Sequence, residues 1–308
     1  PMTAGPRVLL LFLDGVGVGS DDRDINPFLT ADLPTLRGLL GVPTPGLGAV
    51  TNNTPHGPVA VKPLDPLMGM EGLPQSGTGQ TALLTGENAA AIYGRHFGPW
   101  VPVPLRPLMM EKNVLTRALA LGISATFANA YPSQYIHRAW TKRPGGPALA
   151  AHGAGLLTRT EVELGRGEAV SSEFLNSAWR TRLEMPELPE ITLEDAGRNL
   201  ARISAEFQVT FFAHYATDTA GHKRALGPGR KALERVDAFL GGLLSDISPE
   251  TLLVVASDHG NIEDTNGGHT RNPIFSLFLG PDADKLSRRL TTIMDIPEAI
   301  LTFLEGGA

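Results

Sequence analysis

Six residues of this chain have the types and spacing that hold divalent metal ions. Asp14 ends the apolar run "RVLLLFLD". Asp218 and His222 lie four apart in "YATDTAGH". Asp258 and His259 stand side by side in "SDHGNIED", just after the apolar run at 252–256, and His269 follows in "GGHTRNP". A four-residue interval lets Asp218 and His222 face one ion from a helical turn or a tight loop. Adjacent residues of an extended strand point to opposite sides, so Asp258 and His259 are expected to serve two neighbouring ions. Oxygen and nitrogen ligands without sulfur suit Mn2+ or Zn2+ better than Ca2+. Two such ions, roughly 3.5 to 4 Å apart, clamp the attacking and leaving oxygens of a displacement at phosphorus.

That displacement needs a hydroxyl nucleophile. "LPQSGTGQTALLTG" supplies one in Ser76, at the start of a helix-forming run, where the helix dipole favours an anion such as a phosphoryl group. Thr78 is the alternative hydroxyl. Metal coordination would lower the pKa of either.

The elements that must carry these residues are short apolar runs of strand character: "RVLLLFLD" (7–14), "ISATFANA" (123–130), "VTFFAH" (209–214), "TLLVVASD" (251–258) and "IFSLFLG" (274–280). Runs apolar on both faces predict strands buried in a mainly parallel sheet. Between them, "EDAGRNLARISAEF" places Ala196, Leu200, Ile203 and Phe207 on one helical face. "GRKALERVDAFLGGLLSDI" does the same with Leu233, Val236, Leu240, Leu243 and Ile247. The expected fold class is α/β, a three-layer core with a mostly parallel sheet. In such sheets ligands gather at the carboxyl ends of the strands, where Asp14, Asp218 and Asp258 fall. The proline-interrupted stretch 94–108 reads as a non-helical connector. From 131 to 192 the periodicity weakens, Gly and Pro cluster, and only "SSEFLNSAWRTRL" looks helical. Residues 1–130 and 193–308 are therefore expected to form the core and 131–192 a small inserted cap, whose start lies as early as about 95 on a wider reading.

Composition narrows the function classes. The 308 residues include 26 Lys and Arg against 32 Asp and Glu, a net charge of −6 that argues against a nucleic-acid partner. An anionic substrate must then be attracted locally, and Arg138, Lys142 and Arg143 in the cap and Lys223 and Arg224 beside His222 are the candidates. Asn261, Glu263 and Asp264 are further polar candidates near the metals. No cysteine is present, which excludes disulfides, thiolate zinc sites and cysteine nucleophiles. The apolar run near the start is too short to span a bilayer, so no membrane association is expected and a cytoplasmic location is. His56, His96, His152 and His214 have no such frame and read as structural or exposed.

Taken in order, "LFLDGVGVG", "SGTGQTALLTG", "DTAGHKR", "SDHGN" and "GGHTRNP" resemble the alkaline phosphatase superfamily, most closely its branch of cofactor-independent phosphoglycerate mutases and phosphopentomutases. Each motif alone is weak and the ordered set is specific. The resemblance implies that Asp14, Ser76, Asp258 and His259 hold one metal and Asp218, His222 and His269 the other, with Ser76 as the residue that becomes phosphorylated. The chain departs from those mutases in lacking their larger insertions and in carrying Gln80 where they have a histidine. It also lacks the Cys/Ser-x-Pro-x-Arg segment of the related sulfatases. The expectation is a two-metal enzyme acting on a small phosphorylated metabolite. Phosphomonoesterase is favoured because a small cap admits water; the alternatives are a phosphomutase and a catalytically inactive metal-binding module. A phosphodiesterase or nuclease is disfavoured by the acidic charge.

Overall fold

The computed structural model describes residues 5–46 and 48–306. Seven strands form one sheet: β1 (Arg7–Leu13), β2 (Val50–Thr54), β3 (Gly57–Val61), β4 (Ala125–Phe127), β5 (Val209–His214), β6 (Thr251–Ala256) and β7 (Leu277–Leu279). Their spatial order is β2-β3-β7-β6-β1-β5-β4. Strands β4, β5, β1 and β6 are parallel, while β7, β3 and β2 continue the sheet antiparallel. The run at 274–280 is thus a strand only over its last part, and the β2–β3 hairpin, too polar and irregular to register as strands, was not expected.

Strand β1 is central and buried along its whole length. Its alternate side chains divide between two cores, with Val8, Leu10 and Phe12 on one face of the sheet and Leu9, Leu11 and Leu13 on the other. The first face is covered by helices that include α1 (Ser76–Thr85), α2 (Gly146–Gly153) and α6 (Ile296–Leu304). The second is covered by α3 (Leu193–Ser204) and α5 (Leu226–Asp246), which pack on each other. The two crossover helices expected from periodicity are these last two. Thr192 caps α3 in a reciprocal pair with Asp195, which fixes where that helix starts.

The stretch 94–108 is not wholly a connector, because Pro107 sits in the first turn of a helix, Arg106–Lys112, where its missing N–H costs nothing. In 131–192 the helices are short: Arg138–Thr141, Gly146–Gly153, Glu161–Arg166 and Ser177–Arg182. The segment has its own small apolar cluster around Leu164, Ala169, Trp179 and Leu188. It also reaches into both main cores, through Leu149, Ala150 and Ala151 on one face and Val170 and Phe174 on the other. No described helix is long and apolar enough to cross a membrane.

Candidate metal centre and nucleophile

The sheet brings the six candidate ligands to one end. Asp14 directly follows β1, and Asp258 and His259 follow β6, its parallel neighbour. Asp218 lies in the short helix α4 (Ala216–Gly221) after β5, the other neighbour of β1, with His222 at its C-cap. His269 comes from an irregular loop. Among the described residues these form two groups, Asp14, Asp258 and His259 in one and Asp218, His222 and His269 in the other, with ligand atoms within 4.8 Å of one another in each. Asp258 and His259 fall in the same group, contrary to the alternation argument. The strand ends at Ala256 and the chain bends over 258–259, so the extended geometry that would have separated them is already lost.

Ring tautomers follow from the carbonyls. His259 Nδ1–H donates to Gly260 O at 3.2 Å, which leaves its Nε2 as an acceptor. That Nε2 accepts from the Ser76 hydroxyl at 3.0 Å, yet also faces Asp14 Oδ1 at 3.4 Å and Asp258 Oδ2 at 3.5 Å. His269 likewise donates Nδ1–H to Pro74 O at 2.8 Å and turns Nε2 toward Asp218 Oδ1 at 3.7 Å; His222 Nε2 is 3.2 Å from Asp218 Oδ2. The His259 and His269 rings stack at 3.8 Å and join the groups.

Lone pairs aimed at carboxylate oxygens are unfavourable unless a cation sits among them. Asp14 Oδ1 is buried with no hydrogen-bond donor. Burial, then the Asp258 and Asp218 charges, holds the Asp14 carboxyl well above the usual carboxylate range, and burial also raises Asp258. Burial lowers His269 to about 4, so its ring is neutral near pH 7. Hard carboxylate oxygens, imidazole nitrogens and an orphaned buried oxygen together fit a pair of divalent ions.

Ser76 opens α1 and is buried. The Thr78 N–H is spent on Phe97 O and the Gly79 N–H on Gln75 O, while among the described residues the amides of Ser76 and Gly77 have no acceptor. The glycines of "SGTG" permit two close approaches. A Cβ at Gly77 would lie 2.1 Å from Trp100 O, and one at Gly79 2.9 Å from Asp258 O. Thr78 faces away from the metal groups, its hydroxyl engaged with Phe97 and Gln75.

Further groups touch the ligands: Gln80 stood in the sequence only as a departure from the mutases, Asn261 only as a polar candidate, and Tyr131 and Tyr215 went unread. Gln80 donates to Asp14 Oδ2 at 3.3 Å and Asp258 Oδ2 at 3.2 Å, and accepts from Gly146 N at 2.8 Å. It thereby ties α2 to the buried carboxylates. Asn261 donates to Asp218 Oδ1 at 2.6 Å. Tyr131 and Tyr215 hydrogen-bond each other beside the carboxylates, and desolvation pushes Tyr131 up to about 12 and Tyr215 well above the ordinary phenol range, so both remain donors. Of the candidate cations, Arg138 lies over the Tyr135 ring at 4.8 Å and Arg143 over Trp100 at 4.5 Å. Lys142, Lys223 and Arg224 are exposed, the Arg224 guanidinium lying beside Gly267 and Gly268 of the His269 loop. Of the remaining histidines, His214 is buried against Phe174, His152 stacks on Trp140 and His56 is exposed.

The profile of the family described as "Metalloenzyme superfamily" matches residues 189–305, the stretch with five of the six ligands. Phosphopentomutase of Helicobacter pylori is 31% identical over 159 residues, 48% of this chain and 38% of that enzyme. Phosphopentomutase of Syntrophotalea carbinolica is 46% identical over 63 residues, 20% and 16% of the two chains. The match therefore spans well under half the length of either relative. Among solved structures, the PH0037 protein of Pyrococcus horikoshii superposes with a TM-score of 0.58 at 14% identity, covering 100% of this chain and 98% of that one. Alkaline phosphatase of the Antarctic bacterium TAB5 superposes with a TM-score of 0.50 at 12% identity, covering 98% and 99%. A variant of that phosphatase was solved with Mg bound. At these identities the structures speak for the fold alone.

Proposed function

We propose that this chain, which belongs to the alkaline phosphatase superfamily of metalloenzymes, is a phosphomonoesterase that cleaves a small phosphorylated metabolite through a phosphoserine at Ser76. The observation that carries the reading is the Ser76 hydroxyl at the N-terminus of α1, 3.0 Å from His259 Nε2 and beside two metal-binding groups. Asp14, Asp258 and His259, with Ser76, would hold one divalent ion, and Asp218, His222 and His269 the other; the donor set suits Mn2+ or Zn2+. When bound, the ions lower the pKa of the serine hydroxyl and offset charge on the phosphoryl oxygens.

The chain's own groups do the rest. Ser76 Oγ bonds to phosphorus as the ester P–O bond breaks, and the hydroxyl proton is balanced by the proton the departing alcohol takes up. A water oxygen then replaces Oγ, releasing inorganic phosphate and restoring the serine. The free amides of Ser76 and Gly77 are donors at the reacting end. Arg138, Lys142 and Arg143 are assigned to the anionic remainder of the substrate. They lie in the stretch 113–160, which contains no Asp or Glu, and that stretch is fastened to the site through Gly146 N to Gln80 and Val101 N to Pro144 O. Lys223 and Arg224 flank the opposite rim.

A phosphomutase is the second reading, favoured by the phosphopentomutase matches. There the phosphoryl group returns from Ser76 to a different hydroxyl of the same intermediate. One experiment tests both. Metal-free protein is reloaded with Mn2+ or Zn2+ and offered sugar phosphates, phosphoglycerates and nucleotides, while free phosphate and isomer formation are followed. Free phosphate is the expected product, isomer without phosphate would transfer the assignment to a mutase, and no turnover with any metal would reject both.

A further inference from the structure

We propose that Glu263 is the positioning residue that sets the spacing between the two metal-binding groups, an inference that rests on reading the site as a metal centre. Its carboxylate is fully buried and, among the described residues, has no ion-pair partner. Four donors converge on it instead. Oε2 accepts from Gly17 N at 2.9 Å and Asn261 N at 2.8 Å; Oε1 accepts from Thr270 Oγ1 at 2.5 Å and Asn272 Nδ2 at 3.1 Å.

These donors lie on three separate ligand-bearing segments. Gly17 is three residues after Asp14, Asn261 two after His259, and Thr270 one after His269. Asn261 in turn donates to Asp218 Oδ1, so the same hub reaches the second group from two directions. The packing allows little play, since a Cβ at Gly260 would lie 2.2 Å from Oε1. Burying a carboxylate without a cation is costly, and the four hydrogen bonds to its oxygens offset that cost. Outer partners that orient metal ligands typically govern about 10–100-fold of metal affinity.

The test uses full-length protein and Mn2+ alone. Metal uptake is measured by equilibrium dialysis, and the coupling between the two bound ions by electron paramagnetic resonance, for wild type, Glu263→Ala, Glu263→Gln and Thr270→Val. Glu263→Ala should bind the second Mn2+ at least tenfold more weakly and lose or alter the coupled-pair spectrum. Glu263→Gln should recover most of both: its oxygen can still face the two backbone N–H groups, while Thr270 and Asn272 can turn an oxygen toward its amide. Thr270→Val, which cuts only the link to the His269 loop, should weaken the second ion alone and keeps the test alive if Glu263→Ala fails to fold. Unchanged affinity and an unchanged pair spectrum in folded Glu263→Ala, or in Thr270→Val, would overturn the proposal. Wild-type protein that takes up no Mn2+ would instead overturn the metal-centre reading on which it rests.

Discussion

The two ligand groups sit side by side but are built differently. Asp14, Asp258 and His259 are all buried and come from the ends of two hydrogen-bonded central strands, so sheet register fixes their backbones before any metal arrives. Asp218 and His222 come from a six-residue helix and its cap, and His269 from a loop; the His222 side chain is 52% exposed. Burial denies the first group water as a substitute partner and accordingly raises both of its carboxyls, Asp14 well above the usual range. The second group keeps contact with solvent. On the proposed reading, the first group would retain its ion through many turnovers and the second would exchange its ion and admit substrate.

The largest effect expected is on chemistry. Ser76→Ala removes the attacking oxygen but none of the six carboxylate and imidazole ligands, so phosphate release should fall by about 10³-fold or more while both ions still bind. Thr78→Ala should be far milder, since that hydroxyl points to Phe97 and Gln75. Acid quenching during turnover, followed by peptide mapping, should find phosphate on Ser76; phosphate on Thr78 would break the assignment.

Next in size is the contrast between the groups themselves. Asp258→Asn should weaken one ion by more than about 100-fold, beyond the range seen for outer partners, and Asp218→Asn should weaken the other with the first retained. Equal loss of both ions from either variant would erase the distinction. The same pair of variants reports on stability without metal. Asp258→Asn removes one of two buried like charges, so the metal-free protein should melt higher by about 2 °C or more, whereas the metal-loaded protein should melt lower. Asp218→Asn, in the solvated group, should leave the metal-free melting point nearly unchanged. A lower melting point for metal-free Asp258→Asn would mean that burial does not strain the first group.

Sequence reading recovered these two groups unequally. Continuous apolar runs announced β1, β5 and β6, and ligands at strand ends were legible because the strands were. Pairing within the site was not. Alternation assigned Asp258 and His259 to different ions, and the bend after Ala256 that unites them has no periodic signature. The ordered motifs, rather than alternation, imply Asp14, Asp258 and His259 together. The roles of Gln80, Asn261 and Glu263, though the residues were noted, escaped for a related reason: they touch ligands or loops rather than metal, and polar side chains that orient others carry no characteristic spacing. The signal available was a glutamate set between "DHGN" and "GGHTRNP" with neither Lys nor Arg from 257 to 270 to neutralise it. The edge hairpin β2–β3 was missed because β2 is largely polar, β3 opens with Gly and Pro, and the turn carries Pro and His.

The smallest and most discriminating effect is in protons released on metal binding. A metal binds the deprotonated ligand, so any group still holding a proton must give it up, and affinity falls as pH drops through that group's pKa. Asp14 and Asp258 are raised from the carboxylate range by burial, so lowering the pH from neutrality should reprotonate them earlier than ordinary carboxyls and weaken the first ion. His269 runs the other way. At about 4 it is already neutral above pH 5 and has almost no proton to yield, where an ordinary imidazole would still be partly charged at pH 6. Calorimetric titration with Mn2+ at pH 6, repeated in two buffers of different ionisation enthalpy, separates the released protons from the binding heat. The tighter ion should release more protons than the weaker one, and Asp258→Asn should abolish most of that difference. Equal release by the two ions, or a larger release by the one lost in Asp218→Asn, would show that the buried group is deprotonated before metal arrives and that burial is not what separates the two.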